Sequence, residues 1–494
     1  MAIAATPEQN SVSERGHWRL LAGFLGAAVV VLVAFVLAVL LLSGATLSRD
    51  PTALARVSVQ LFGGKVRHVS AYSPSGHEIP ISVHDGRLTP LVRLTPGEQV
   101  SIDVTVRRPG WLGWALGKES VEHLTLSAPV ARLSERWLTV TPGSAVQVSF
   151  DQPVAKIAYG QEGGLQSHTA GQAQRSFSLG RHGQAGTVLV AAAARSWERL
   201  GRPTSVSWFP PSQSAVLVAS PAPGSAISPA APIRLVFSKP VSEVLGSEGP
   251  KLSPAVQGRW RKVDSHTLTF TPSGFGLPFD TKLRLTLPRQ VAVSQASGGS
   301  IPTTSQIEWT VPAGSTLRLQ QLLAEQGYLP VEWQSAAEQV AHTPAAEVKA
   351  AVVPPKGSFS WRYANTPPQL QALWSPGEAN TITRGAIMKF ENQHEITVDG
   401  LAGPSVWRAL LENAIAGKHQ AGGEEGGYSY VYVHREVPET ATLWHDGHTI
   451  ISSPANTGIS GAETALGSFP VFEHVPETTM SGTNPDGSHY EDPG

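Results

Sequence analysis

The chain has 494 residues, several times the roughly 100–200 of one domain, so three to five units are expected. A formal net charge of -1 with 15% charged residues supplies no basic field for counterion release, and no nucleic-acid partner is expected. The absence of cysteine excludes disulfides, thiolate metal sites and thiolate nucleophiles within these residues, while 48 Gly and 39 Pro indicate many turns between short strands. The expected fold is multidomain and mainly β.

Residues 1–19 read as a short cytoplasmic tail. From Leu20 to Leu42 there is no charged or strongly polar side chain. Roughly 23 helical residues cross a hydrocarbon core of about 30 Å, so 20–42 is expected to be a transmembrane helix. Ser43-Gly44-Ala45 would suit cleavage if the run were instead a signal peptide. Arg15 and Arg19 precede the run, which is expected to keep the N-terminus cytoplasmic and to put everything after Asp50 outside.

Between Val57 and Pro312 the sequence consists of short alternating runs such as Val100-Ser-Ile-Asp-Val-Thr-Val106, separated by turns such as Pro96-Gly97 and Pro142-Gly143. Three β-sandwich-like domains are expected, at 50–128, 129–212 and 213–312. Val146-Gln-Val-Ser-Phe-Asp-Gln-Pro-Val154 and Ile233-Arg-Leu-Val-Phe-Ser-Lys-Pro-Val241 match in pattern, each an alternating run that the proline is expected to stop. Both repeats finish on a Trp-bearing strand, at Trp208 and Trp309. With Ser220-Pro-Ala-Pro-Gly224 and Thr267-Leu-Thr-Phe-Thr-Pro272, the second copy resembles bacterial immunoglobulin-like domains. That resemblance implies a spacer, with an adhesive or carbohydrate-binding sandwich as the rival.

After Gly314 the period becomes helical. Leu319, Leu322 and Leu323 share a face, with Gly327 as the stop before Tyr328. A second stripe is Ala386, Ile387 and Phe390, and Asp399-Gly400 turns the chain before Gly403-Pro404 opens a helix with Val406, Trp407, Leu410 and Leu411 facing inward. These segments resemble the three-helix peptidoglycan-binding family, expected over 313–417 with an insertion around Pro354-Pro355. Glu391 and Glu395 stand where that family usually has glutamine and glycine. The motif residues Asp399, Gly400, Gly403 and Trp407 read as mostly structural, and the resemblance implies glycan as a partner.

Residues 418–427 have linker composition, and Tyr428-Ser-Tyr-Val-Tyr-Val433 opens a new domain, 428–494. Asp446-Gly447 between strand-like runs marks a hairpin. His445 and His448 flank it, but with no third ligand in the pattern no metal is expected, and no cofactor. Val431-Tyr-Val433, the hairpin, Ser453-Pro-Ala-Asn-Thr-Gly458, Thr464-Ala-Leu-Gly-Ser-Phe-Pro470 and Met480-Ser-Gly-Thr-Asn-Pro-Asp-Gly-Ser-His-Tyr490 together resemble the N-terminal half of an L,D-transpeptidase catalytic domain. Ala465 and Ser468 replace that family's usual proline and threonine.

The resemblance implies acyl transfer on peptidoglycan stem peptides through a cysteine thioester, the thiol being activated by a histidine. Both groups belong to a later Ser-x-Gly-Cys-type motif, expected beyond Gly494, so no catalytic residue is expected within the chain. Met480 and Tyr490 match the lid beside the substrate and are the expected stem-peptide contacts. A non-catalytic, membrane-anchored peptidoglycan-binding protein is the alternative, and a surface adhesin the third reading.

Overall fold

The computed structural model describes residues 30–37, 39, 44–61, 63–111, 113, 117–294, 302–336, 339–419, 427–473, 475–484 and 486–493. Of the apolar run 20–42, only 30–37 and 39 are among them, and they are helical. Most of the expected membrane helix therefore lies outside the described residues. Among the described residues no helix is long and apolar enough to cross a membrane. The chain is mainly β, and it divides into two compact units, Met1–Trp208 and Phe209–Gly494.

In the first unit, β1 (Ala45–Arg49), β2 (Ala55–Val59), β3 (Lys65–Tyr72), β4 (Ile81–His84), β5 (Arg87–Pro90), β6 (Gln99–Arg107) and β7 (Glu119–Ser127) form two sheets, ordered β1-β2-β5-β4 and β3-β6-β7. Strict alternation in β6 places Val100, Ile102, Val104 and Val106 in the core between them. The strands begin at Ala45, ahead of the expected boundary at 50, because Asp50 makes the first turn. Its Oδ1 accepts from the N–H groups of Thr52 and Ala53 at 2.7 and 2.8 Å.

The second domain of this unit pairs β8 (Trp137–Thr139), β9 (Ala145–Gln161), β10 (Gly164–Arg181), β11 (Gly186–Ala193) and β12 (Thr204–Phe209) in the order β10-β9-β11-β12-β8. Contrary to the expectation that Pro153 stops its strand, β9 runs on to Gln161. Between the pairs Gln174↔Val154 and Ser176↔Ser149 the register shifts and leaves residues 150–153 of β9 without partners on β10, so the proline sits at an irregularity where no ladder donor is required.

The loop after β11 enters the first domain's core. Trp197 is buried there, and its Nε1–H donates to the Thr52 carbonyl at 3.1 Å. Its neighbour Glu198 is buried as well, and burial pushes the carboxyl up from 4.5 to about 6 against the N–H of Arg195. The fold thus prefers this acid protonated. Its contribution is full below about pH 4.5 and is lost as pH rises through about 6. Glu198→Gln, which keeps an acceptor for Arg195, is expected to stabilise this unit by about 1–2 kcal/mol at pH 8 and to change nothing at pH 4. Paired thermal melts check it; a gain of the same size at both pH values would contradict it.

In the second unit, β13 (Val216–Ser220), β14 (Ile233–Phe237), β15 (Lys251–Ser253), β16 (Gly258–Lys262), β17 (Thr267–Pro272), β18 (Thr281–Val293) and β19 (Thr303–Val311) wrap one core with the short helix α1 (Val241–Leu245). Strand β18 changes partners along its length. On one edge residues 284–286 pair with β15 and residues 292–293 run parallel to β13, while the other edge pairs with β19 over residues 281–286 and, after a register shift, 291–292. The repeated tryptophans have matching roles: Trp208 Nε1–H donates to Gly183 O at 2.9 Å, and Trp309 Nε1–H to Pro221 O at 3.0 Å.

The remainder contains α2 (Thr316–Glu325), β20 (Val331–Ser335), α3 (Pro344–Val352), β21 (Gly357–Trp361), α4 (Pro368–Gln371), α5 (Thr381–Gln393) and α6 (Pro404–Ala416), followed by β22 (Ser429–His434), β23 (Thr440–His445), β24 (His448–Pro454), β25 (Gly458–Ile459), β26 (Ala462–Glu463), β27 (Thr479–Thr483) and β28 (His489–Pro493). Where three helices and an insertion are expected, the described residues form five helices and an antiparallel β20–β21 pair. Thr343 caps α3 ahead of Pro344 in its first turn, which is what gives the insertion a helix of its own.

Candidate functional site

Helices α2, α5 and α6 share a core with Phe279 and Trp444. Helix α2 closes on a left-handed Gly327 (φ 85), and Tyr328 N–H reaches back to Leu323 O at 2.8 Å. Gln320, fully buried on α2, has its polar atoms satisfied: Nε2 donates to Ser375 O, Glu378 O and Thr383 Oγ1 at 3.0–3.1 Å, and Oε1 accepts from Gly377 N–H at 2.7 Å.

The motif residues of this module gather where α5 meets α6. Glu391, at the end of α5, turns its Oε2 onto the N–H groups of Asp399 (3.1 Å) and Gly400 (2.8 Å), and Asp399 Oδ1 takes the N–H of Leu401 at 2.8 Å. Burial raises the Glu391 carboxyl above its usual range. Gly400 is left-handed (φ 68), and a Cβ there would meet Arg384 at 2.8 Å. Gly403 caps α6, and Trp407 is 1% exposed against the Phe279 ring at 5.2 Å. A Cβ at Gly314 would meet the Trp407 ring at 2.4 Å, so a glycine lets the chain enter the module. The geometry gives these four residues turn, cap and core positions.

A cleft of about 290 Å³ lies between the end of α2, the end of α6 and the insertion, lined among others by Arg318, Glu325, Trp333, His342, Glu347 and Lys418. Arg318 is 2% exposed. It donates through Nη2 to Glu347 Oε2 at 2.9 Å and through Nη1 to Glu325 Oε1 at 3.2 Å. Burial raises the Glu325 carboxyl, with Arg318 opposing the rise. Two further donors are buried without a partner, Arg318 Nε–H and Trp333 Nε1–H. His342 and His419 each spend Nδ1–H on a backbone carbonyl, of Ala414 and Glu325 respectively.

Sequence reasoning missed this group. Arg318, Gln321 and Glu325 do form a polar stripe three and four residues apart on α2, the one available signal, but such a stripe ordinarily faces water. The insertion covers it here.

The C-terminal strands do not stand apart from the helices, although the sequence sets them off as a separate domain. Residues 420–426 of the expected linker lie outside the described residues. Trp444 on β23 is buried in the helical core, its ring edge-on to Tyr363 at 5.4 Å. The Asp446-Gly447 turn, with both φ positive (46 and 89), docks on the same elements. Asp446 Oδ1 accepts from Tyr363 Oη at 2.5 Å and from Tyr428 N–H at 2.7 Å, Lys389 Nζ donates to Gly427 O at 3.0 Å, and Asn365 Nδ2 donates to Gly447 O. Burial alone would raise the Asp446 carboxyl, but the Tyr363 and Tyr428 donors with nearby His445 and Lys389 hold it below its ordinary value.

Beyond β24 the Asn-Thr-Gly loop is pinned by Glu439, whose carboxylate accepts from the N–H and hydroxyl of Thr457. Leu466, Phe469, Val471 and Phe472 are exposed. The β27–β28 hairpin pairs Met480 with Asp492 and Gly482 with Tyr490, which puts Met480 and Tyr490 diagonally on one face, both exposed. Among the described residues no cluster of three or more His, Asp or Glu is placed to hold a metal ion.

No protein-family profile matches the sequence, and no curated protein matches it. Among solved structures, an L,D-transpeptidase from Mycobacterium tuberculosis H37Rv is similar at 16% identity and a TM-score of 0.13, over 19% of this chain and 38% of that one. The SGBP-B protein of a Bacteroides ovatus mixed-linkage glucan utilization locus, solved with a heptasaccharide, is 12% identical over 55% of this chain and 66% of its own, with a TM-score of 0.16. The FN1–FN3 domains of chicken CNTN1 are 10% identical over 55% and 98%, with a TM-score of 0.15. At such scores the likenesses are slight, and function has to be argued from the chain's own residues.

Proposed function

We propose that this chain is a cell-wall protein of the peptidoglycan L,D-transpeptidase type, anchored through residues 20–42 with its N-terminus cytoplasmic. Its β domains carry a helical wall-binding module and a stem-peptide-binding surface. The observation that carries the reading is the C-terminal segment. A three-stranded sheet with an Asp446-Gly447 turn, the Asn-Thr-Gly loop held by Glu439 and an exposed hairpin presenting Met480 and Tyr490 follow one another in the order of the motifs that resemble that family. The exposed apolar side chains at 466–472 support it too, because a β-rich catalytic domain covers such a face with a second layer.

In that family a cysteine thiolate attacks the carbonyl after the stem peptide's diamino acid, expels the terminal D-alanine and is released from the thioester by an acceptor amine. These 494 residues contain no cysteine, so by themselves they hold substrate and form no acyl-enzyme. Substrate holding falls to the face of the β27–β28 hairpin. The missing thiol also favours a second reading, a non-catalytic wall-binding protein, in which the helical module is the functional part.

Both readings predict that the full chain pellets with purified peptidoglycan, well above an unrelated β-sandwich protein run beside it. Retention no better than that control would remove both. Carbapenem treatment should leave the 52.3 kDa mass of this chain unchanged, and an adduct would refute the assignment of the chemistry to a thiol it lacks.

A further inference from the structure

The cleft between α2, α6 and the insertion has a chemistry its own side chains do not complete. Two of the residues that line it, Arg318 and Trp333, carry buried N–H groups (Nε–H and Nε1–H) that lack an acceptor, a condition folded proteins rarely tolerate unless something else supplies one. The charges around them balance: Arg318 and Lys418 stand against Glu325 and Glu347, with Arg318 already bound to both carboxylates. A balanced site with spare donors suits a neutral acceptor, such as an amide carbonyl, better than a carboxylate or a phosphate.

Two more features narrow the ligand. The half-buried Trp333, set against Phe359 at 4.9 Å between centroids, gives the cleft a rigid aromatic wall, and its neighbours are planar polar side chains of the kind that bond hydroxyls. The volume of about 290 Å³ is at the lower end of the about 300–1,000 Å³ usual for small-molecule clefts, room for a single ring.

We propose that this cleft binds one N-acetylated sugar ring, its acetamido carbonyl accepting from the unpartnered N–H groups and its ring lying against Trp333. The proposal rests on the wall-binding reading and adds to it a location, to which the insertion contributes Trp333, His342 and Glu347 among others, and a specificity for the acetamido group. The turn and core residues Asp399, Gly400, Gly403 and Trp407 play no direct part in it.

Calorimetric titration of the full chain, in a sugar-free detergent, tests it with three probes. N,N′-diacetylchitobiose carries both ring and acetamide, cellobiose the ring alone, and N-acetylalanine amide the amide alone. Saturable binding is expected for the first only. Trp333→Phe, which keeps the ring and removes the donor, should weaken that binding about tenfold without lowering Tm. Val340→Trp, which fills the cleft from its rim, should abolish it. No saturable binding of diacetylchitobiose, equal binding of cellobiose or of the amide, or unchanged affinity in both variants would overturn the proposal.

Pelleting with peptidoglycan, run on the same preparations, separates the two readings. Pelleting without disaccharide binding removes the cleft assignment alone. Disaccharide binding without pelleting leaves the sugar site standing and removes the wall reading.

Discussion

Trp407→Ala is expected to cost about 3–5 kcal/mol and to loosen the helices and the C-terminal strands together. The indole is almost fully buried between Phe279 and the chain at Gly314, where no rearrangement of surface loops fills the space it leaves. Its core is also that of Trp444, so the cavity is felt on β23. Denaturant melts give the loss, and hydrogen exchange gives its extent. Amides of β22–β24 should lose protection in parallel with those of α2, α5 and α6. A loss confined to the helices would show that the strands are held independently.

The second large effect concerns the buried ion pair of the cleft. Arg318→Met leaves Glu347, itself 2% exposed, without its 2.9 Å partner, and should cost about 3–5 kcal/mol at neutral pH. Glu347→Leu should cost less, because Glu325 remains to accept from Arg318. The double variant is expected to recover part of the loss, since Glu347 no longer leaves a buried unpaired charge while Glu325 still lacks its Arg318 donor. A double-mutant cycle by thermal or urea melts measures the coupling; additive losses would mean that the two residues do not act as a pair.

What could be read from the sequence follows from how local its causes are. The alternation of Val100, Ile102, Val104 and Val106, the Asp446-Gly447 turn and the helical stripe of Leu319, Leu322 and Leu323 are each written within a few residues, and each has a structural counterpart. Pro153 misled because a proline's effect on a strand depends on whether a ladder donor is needed at its position, and β9 itself bulges there, with residues 150–153 set against a single residue of β10. Glu198 and Trp197 gave no signal, since their burial is made by a domain that precedes them in sequence by about a hundred residues.

The cleft was invisible for the same reason. Arg318 and Glu325 look like any solvated helix face, and only the packing of β20 and α3 against them turns a polar stripe into a buried pair. Conversely, Asp399, Gly400, Gly403 and Trp407 carry a strong pattern because turns, caps and cores constrain residue type tightly. A motif that is easy to read is for that reason more often scaffold than contact.

The claim that the C-terminal hairpin receives stem peptides can be tested at a single atom. The chain has three methionines, and Met388 is buried on α5 while Met480 is 64% exposed on β27. With methionine methyls labelled in the full chain, a tetrapeptide stem is predicted to shift the Met480 resonance in a saturable way and to leave Met388 unmoved. An unshifted Met480 at saturating peptide, or equal shifts at both methyls, would contradict the account.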